Sequence, residues 1–257
     1  MPSSWHLWLD LEGRPGFRNM AVDQALLVRA AERGERWLRL YRWSPSCLSF
    51  GRHEPAARRY DRARAEALRL DTVRRPTGGR AVWHADELTY AVTLPADGLG
   101  GVREVCAEIH AMLHDALCRV GVRTEAAGSA PALGPGAGPC FAAPAGGELM
   151  LGGRKVVGSA QLRERGALLQ HGTILLSGDQ RTVAEVMRGA VPADKAGGLM
   201  LALGHRPDPA MVAEAVAAAA AARWPGRWTT AVGDDGPAGE ASVFEPRFRS
   251  PAWTWGH

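Results

Sequence analysis

Between Arg74 and Tyr90 the chain reads RRPTGGRAVWHADELTY, and these residue types suit the capture of an anion. Gly78 and Gly79 would let a backbone approach a ligand closely, while Arg74, Arg75 and Arg80 carry guanidiniums that fork onto phosphate or carboxylate. A tight hairpin with solvated arginines uses the same residues, and the segment alone does not choose between the two. A second polar insertion lies in LLQHGTILL, where His171 and Gly172 interrupt an apolar run. Close approach of a ligand explains it, and so does a histidine satisfied inside the core. The third signal is lysine. Of 31 basic residues 29 are arginine, leaving Lys155 and Lys195 as the only lysines. Only lysine offers a compact ammonium with a tunable pKa, so Lys155 in GRKVVGSAQ draws notice.

Two other patterns suggest chemistry more weakly. Cys106, His110, His114 and Cys118 recur every fourth residue, as ligands on a metal-binding helix face would. At about 100° per residue they drift across about 120°, onto the flank and back of an apolar stripe. An exposed or flanking polar face is the expectation, and no metal. The glycines of GPGAGP match neither GxGxxG nor GxxxxGK[ST] between a strand and a helix, which predicts a flexible loop. The four cysteines, Cys47, Cys106, Cys118 and Cys140, form no CxxC pair in a chain too long to need a disulfide scaffold, and are read as reduced.

The elements that must position these residues follow from periodicity. FRNMAVDQALLVRAAERG predicts a helix ending at Gly34, and RWLRLYRW a strand with Trp37, Arg39, Tyr41 and Trp43 on one face and Leu38 and Leu40 on the other. AARRYDRARAEALRL predicts a charged surface helix, DTVRRP a strand stopped by Pro76, and RAVWH and ELTYAVTLP two strands after the Gly78-Gly79 turn. Residues 101 to 120 give the clearest helix. A Gly/Pro/Ala-rich loop carrying Cys140 follows, then successive strands turning at Gly152-Gly153 and Arg165-Gly166. A short helix near 180 to 190, an alanine-rich helix from about 209 to 223 and an irregular tail close the chain. The class is α/β or α+β with a mixed sheet, in a single domain over 1–257 whose C-terminal part, from about 180, is helical and irregular.

Composition sets the outer limits. A chain of 257 residues with 46% hydrophobic content buries a sizeable core, and a formal charge of +4 is far too mild to imply nucleic acid. No run of about 18 uncharged apolar residues occurs, and MPSSWHLWLD lacks the basic-then-apolar order of a signal peptide. A cytoplasmic protein without a membrane partner is expected.

Taken in order, NMAVDQALL, RRPTGGRAVWHADELTY, CF, GRKVVGSAQ and LLQHGTILL closely resemble the biotin/lipoate protein ligase and lipoyl/octanoyl transferase superfamily, from about Trp5 to Leu176. The nearest likeness is to the cysteine-dependent octanoyltransferases that are similar to lipoate ligases. TGGR stands where ATP-using ligases more often show a third glycine, HADELTY follows it, and Cys140-Phe141 precedes the GRK turn. The GRGRxGR-type loop of biotin ligases is missing, and AAPAGG replaces the family's usual residues after the cysteine.

The resemblance implies an α/β catalytic domain whose mixed sheet forms an acyl tunnel. It implies transfer of an octanoyl group from acyl carrier protein to a lysine of a lipoyl domain, such as the glycine cleavage H protein, with no cofactor. Cys140 would be the nucleophile and Lys155 its cationic partner, since a free thiol titrates near 8.5 and needs help to ionise at neutral pH. Gly78, Gly79, Gly158 and Gly172 would line the tunnel, with Arg75, Thr77 and His84 at its polar mouth and Ser159, Ala160 and His171 opposite. The alternatives are an ATP- and magnesium-dependent lipoate-protein ligase acting through a lipoyl adenylate, and a non-catalytic lipoyl-carrier binding protein.

Overall fold

The computed structural model describes residues 4–128, 140–142, 147–189, 195–231 and 237–256. The first half runs β1 (Ser4–Arg14), α1 (Gly16–Arg33), β2 (Arg36–Trp43), β3 (Cys47–Phe50), α2 (Ala56–Arg59), α3 (Arg62–Ala67), β4 (Asp71–Arg74), β5 (Val82–His84), β6 (Glu87–Pro95) and α4 (Val102–Arg119). The second half runs β7 (Glu125–Ala126), β8 (Leu149–Leu151), β9 (Arg154–Lys155), β10 (Val157–Glu164), β11 (Ala167–Leu175), α5 (Arg181–Val186), α6 (Met200–Leu203), α7 (Pro209–Arg223), β12 (Arg227–Ala231), α8 (Pro237–Ala241), α9 (Glu245–Arg249) and α10 (Pro251–Trp255). Among the described residues no helix is long and apolar enough to cross a membrane.

A six-stranded sheet ordered β10-β11-β6-β2-β1-β12 forms the frame. β1 runs parallel to β2 and β12 while the other pairings are antiparallel, so the sheet is mixed, as the strand pattern predicts. Alternation along β2 sends Leu38 and Leu40 into a core with Ile109, Leu113, Val212 and Val216 of α4 and α7. Trp37, Tyr41 and Trp43 face the other way, against Met20, Leu26 and Leu27 of α1. Two smaller sheets, β4-β3-β5 and β7-β8-β9, sit beside this frame.

The α1 face carries a buried charge that the alternation already placed there. Arg39 is fully buried, and its guanidinium donates to Asp10 Oδ2 at 2.6 Å, Asp23 Oδ1 at 2.9 Å and Asn19 Oδ1 at 2.7 Å. A buried guanidinium tolerates its desolvation only when its donors are matched by anions and carbonyls in this way. Asn19 and Asp23 stand four apart on α1, which aims both at the sheet.

Several elements differ from expectation. The charged segment after residue 55 is two short helices rather than one, because the chain breaks at Tyr60, which pairs with Met187 and donates its hydroxyl to Glu54, before Asp61 caps α3. β1 and β12 are strands left unassigned from sequence. β1 does alternate, with Trp5, Leu7 and Leu11 toward the α4 and α7 core and Trp8 on the other face. β12 is short and half exposed. PAWTW is helical, started by the Ser250 side chain accepting from Trp253 N and by Pro251 in the first turn.

Candidate active site

Cys140 opens a short 3-10 turn (Cys140–Ala142) anchored by its own N–H to Ala81 O at 2.9 Å. The next side chain, Phe141, is buried with Val82, Leu175 and Ala196, which holds the cysteine at the edge of the core. The β8–β9 hairpin brings the lysine to it. Gly152 and Gly153 take positive φ of 53° and 75°, as a two-residue hairpin turn demands, and Met150 pairs with Lys155. Lys155 Nζ then lies 3.4 Å from Cys140 Sγ, 3.2 Å from Cys140 O and 2.6 Å from Glu148 Oε1. These contacts use the three directions in which an ammonium can donate. Glu148 is the residue that sequence reasoning missed. Hairpin register held the clue, since residues 148 and 150 share a face across from Lys155.

Cys140 faces a cavity of about 370 Å3, including the part open to solvent. One wall is Gly158, Ser159 and Ala160 of β10 with His171 and Gly172 of β11. Opposite stand Arg75, Gly79, His84, Tyr41 and Trp43. Eight of the ten expected binding residues thus line one cavity with Cys140. Thr77 and Gly78 do not line it. Thr77 acts from behind, bonded through Oγ1 to His171 Nε2 at 2.6 Å, and a Cβ at Gly78 would meet open space.

Both cavity histidines are held by carboxylates. His171 Nδ1 lies 2.8 Å from Asp23 Oδ2, the carboxylate that also takes Arg39 and the Tyr41 hydroxyl. Burial pushes the His171 pKa down, against the pull of Asp23, so a neutral ring donates to Asp23 and accepts from Thr77. His84 Nδ1 sits 2.7 Å from Glu87 Oε1 and Nε2 2.6 Å from Ser49 Oγ, with Trp43 stacked on the ring at 4.0 Å.

The arginines correct both readings of RRPTGGR. Arg74, Arg75 and Arg80 are 0%, 5% and 6% exposed, neither solvated nor free to clamp an incoming anion. Arg74 donates to the carbonyls of Gly51, Arg52, Glu54, Trp253 and Thr254, pinning the loop to α10. Arg75 donates to the carbonyls of Ser49, Gly78 and Arg80, and Arg80 to Cys140 O. They shape the cavity wall from within. The expected polar flank of α4 is corrected too. His110 is 5% exposed, and its ring bonds Gly147 O and Ser159 Oγ, each at 2.8 Å. Nδ1 must donate to the carbonyl, so Nε2 accepts from Ser159, whose oxygen in turn receives the Tyr90 hydroxyl at 2.6 Å.

Gly158 is where a single methyl would tell. A Cβ there would lie 3.0 Å from Phe141 Cζ and 3.2 Å from Lys155 Cε, so in Gly158→Ala the ring and the lysine stem beside the thiol must give by a few tenths of an ångström. Misplacements of this kind cost on the order of tenfold or more in turnover. We expect that loss with a thermal midpoint close to the parent's, and turnover equal to the parent's would contradict the placement.

The family model of the lipoyl protein ligase A/B catalytic domain matches residues 15–220. An octanoyltransferase LipM of Exiguobacterium sibiricum is 43% identical over 63% of this chain, a match spanning 62% of that protein, somewhat under two thirds of its length. An octanoyltransferase LipM of Symbiobacterium thermophilum is 39% identical over 76% of this chain and 74% of its own. Among solved structures, a lipoate-protein ligase A bound with ATP superposes with a TM-score of 0.79 at 18% identity, covering 100% of this chain and 99% of that one, which shows a shared fold. On this evidence the chain belongs to the lipoyl protein ligase A/B catalytic domain family.

Proposed function

We propose that this protein is an octanoyltransferase of protein lipoylation, moving an octanoyl group from the phosphopantetheine thioester of acyl carrier protein to a lysine of a lipoyl domain through an acyl-Cys140 intermediate. The observation that carries this reading is the Lys155 ammonium 3.4 Å from the Cys140 sulfur at the wall of a cavity. The octanoyltransferase relatives support the acyl group and the reaction class.

In the first half-reaction the Cys140 thiolate attacks the thioester carbon. The new carbon–sulfur bond forms, the bond to pantetheine breaks, and the leaving thiolate takes a proton from Lys155. In the second, the acceptor lysine, arriving as the free amine, attacks the acyl-cysteine. The carbon–nitrogen bond forms, Cys140 leaves as thiolate, and Lys155 takes the amine's proton, which restores the starting pair. A thioester enzyme keeps the acyl group activated between the two steps. A cation beside both sulfur and carbonyl favours the charge that develops in each.

Because the donor is already a thioester, transfer between purified octanoyl carrier protein and a lipoyl domain should run at the same rate with and without ATP and magnesium. Strict dependence on ATP and free acid would replace this reading with the ligase, in which the same cavity holds an acyl adenylate.

A further inference from the structure

We propose that Glu148 is a positioning residue of this site, which fixes Lys155 Nζ against Cys140. The inference rests on the acyl-cysteine reading above and adds a third member to its cysteine–lysine pair.

Lys155 is 1% exposed, and a buried charge is tolerated only when it is paired and hydrogen-bonded. Its surroundings are otherwise unfavourable to a cation. Arg75 lies close enough to act electrostatically on Cys140, and Arg80 donates to the Cys140 carbonyl. On the far side, His110 is kept neutral by burial, and the Cys106 thiol is pushed up to about 11, mainly by burial and then by the charge of Glu148. Among the described residues, the carboxylate of Glu148, at 2.6 Å, is the formal anion that Nζ contacts apart from the cysteine itself. Without Glu148 the described contacts that hold Nζ would be Cys140 Sγ and Cys140 O, both on the residue it serves.

Position follows from the same contact. The lysine side chain has four rotatable bonds, and a short charge-assisted bond to a carboxylate held at the base of β8 selects the rotamer that reaches the sulfur. The carboxylate bonds Lys155 Nζ, so its part in the chemistry runs through the lysine.

The test uses the full chain and two readouts: the pH at which Cys140 is half-maximally alkylated by iodoacetamide, and the single-turnover rate of acylation by octanoyl carrier protein. Glu148→Gln, which keeps size and loses charge, is expected to slow acylation at least tenfold without raising the alkylation midpoint, because it removes an anion beside the Lys155–Cys140 pair. Glu148→Asp keeps the charge but shortens the reach. It should hold the midpoint near the parent's while slowing acylation, and it serves as the deciding variant should Glu148→Gln not fold. A midpoint raised in Glu148→Gln, or acylation at the parent's rate in Glu148→Gln or Glu148→Asp, would overturn the assignment. Failure of the parent protein itself to acylate at Cys140 would instead remove the reading on which the inference rests.

Discussion

On the proposed acyl-cysteine mechanism, Cys140→Ala is expected to lose octanoyl transfer altogether while keeping the fold. The substitution removes one sulfur from a half-buried position whose backbone bond to Ala81 and neighbouring Phe141 packing do not depend on it. What disappears is, among the described residues, the nucleophilic sulfur beside Lys155 that would hold the acyl group covalently. Loss of a nucleophile that works as a unit with its partner costs on the order of 10⁴ or more in turnover. Cys140→Ser should fare little better, since its hydroxyl does not ionise near neutral pH and the site offers an ammonium, not a base, at that atom. Transfer rates measured beside circular dichroism of both variants check this. Full activity in Cys140→Ala would leave the fold standing and remove the acyl-cysteine mechanism, and the other thiols offer no replacement at the cavity. Cys47 is buried, with its pKa driven well up by burial and then by the charge of Asp71, while Cys106 and Cys118 lie on α4.

Lys155→Arg fails although it preserves the charge. The ammonium fits a closed space: it donates to Cys140 O and Glu148, faces Cys140 Sγ, and lies 4.8 Å from the centre of the Phe141 ring. A guanidinium is planar and wider, cannot meet these partners from one nitrogen, and in proteins does not give up a proton to a leaving thiolate. Removal of one donor that stabilises a developing oxyanion costs on the order of 10²–10³ in turnover, and we expect at least that for Lys155→Arg and Lys155→Ala. The two should separate in the pH at which Cys140 is alkylated, which rises in Lys155→Ala and rises less in Lys155→Arg. Normal turnover of Lys155→Arg would reduce Lys155 to a hairpin residue.

Much of the frame was legible because its burial is one-sided. α4 shows an apolar stripe against a polar back, α7 is marked by its run of alanines, and β2 alternates so cleanly that even the face of Arg39 was readable. β1 alternates as well, with Trp8 as the one large apolar residue on its polar face, and went unassigned, while α10 is too short for periodicity to register. In the site, motif order brought Cys140, Lys155 and the β10–β11 wall together before any coordinates did. The arginines misled because sequence counts charges but not acceptors: three guanidiniums in a row look like an anion trap until the carbonyls that occupy them are seen. Asp23, His110 and Glu148 share the opposite fault. Each sits among apolar neighbours in sequence, Asp23 and His110 on helices and Glu148 at the foot of a hairpin, and acquires its role only when β11, β10 or β9 is laid beside it.

The covalent intermediate is the centre of the account, and the acceptor-free reaction isolates it. Incubating the protein with octanoyl carrier protein alone, followed by proteolysis under mildly acidic conditions and peptide mass spectrometry, should find one octanoyl group, on the peptide containing Cys140 and released by hydroxylamine. Adding a lipoyl domain should then discharge the label onto its lysine. No label, or label confined to the peptides of Cys47, Cys106 or Cys118, would contradict the mechanism.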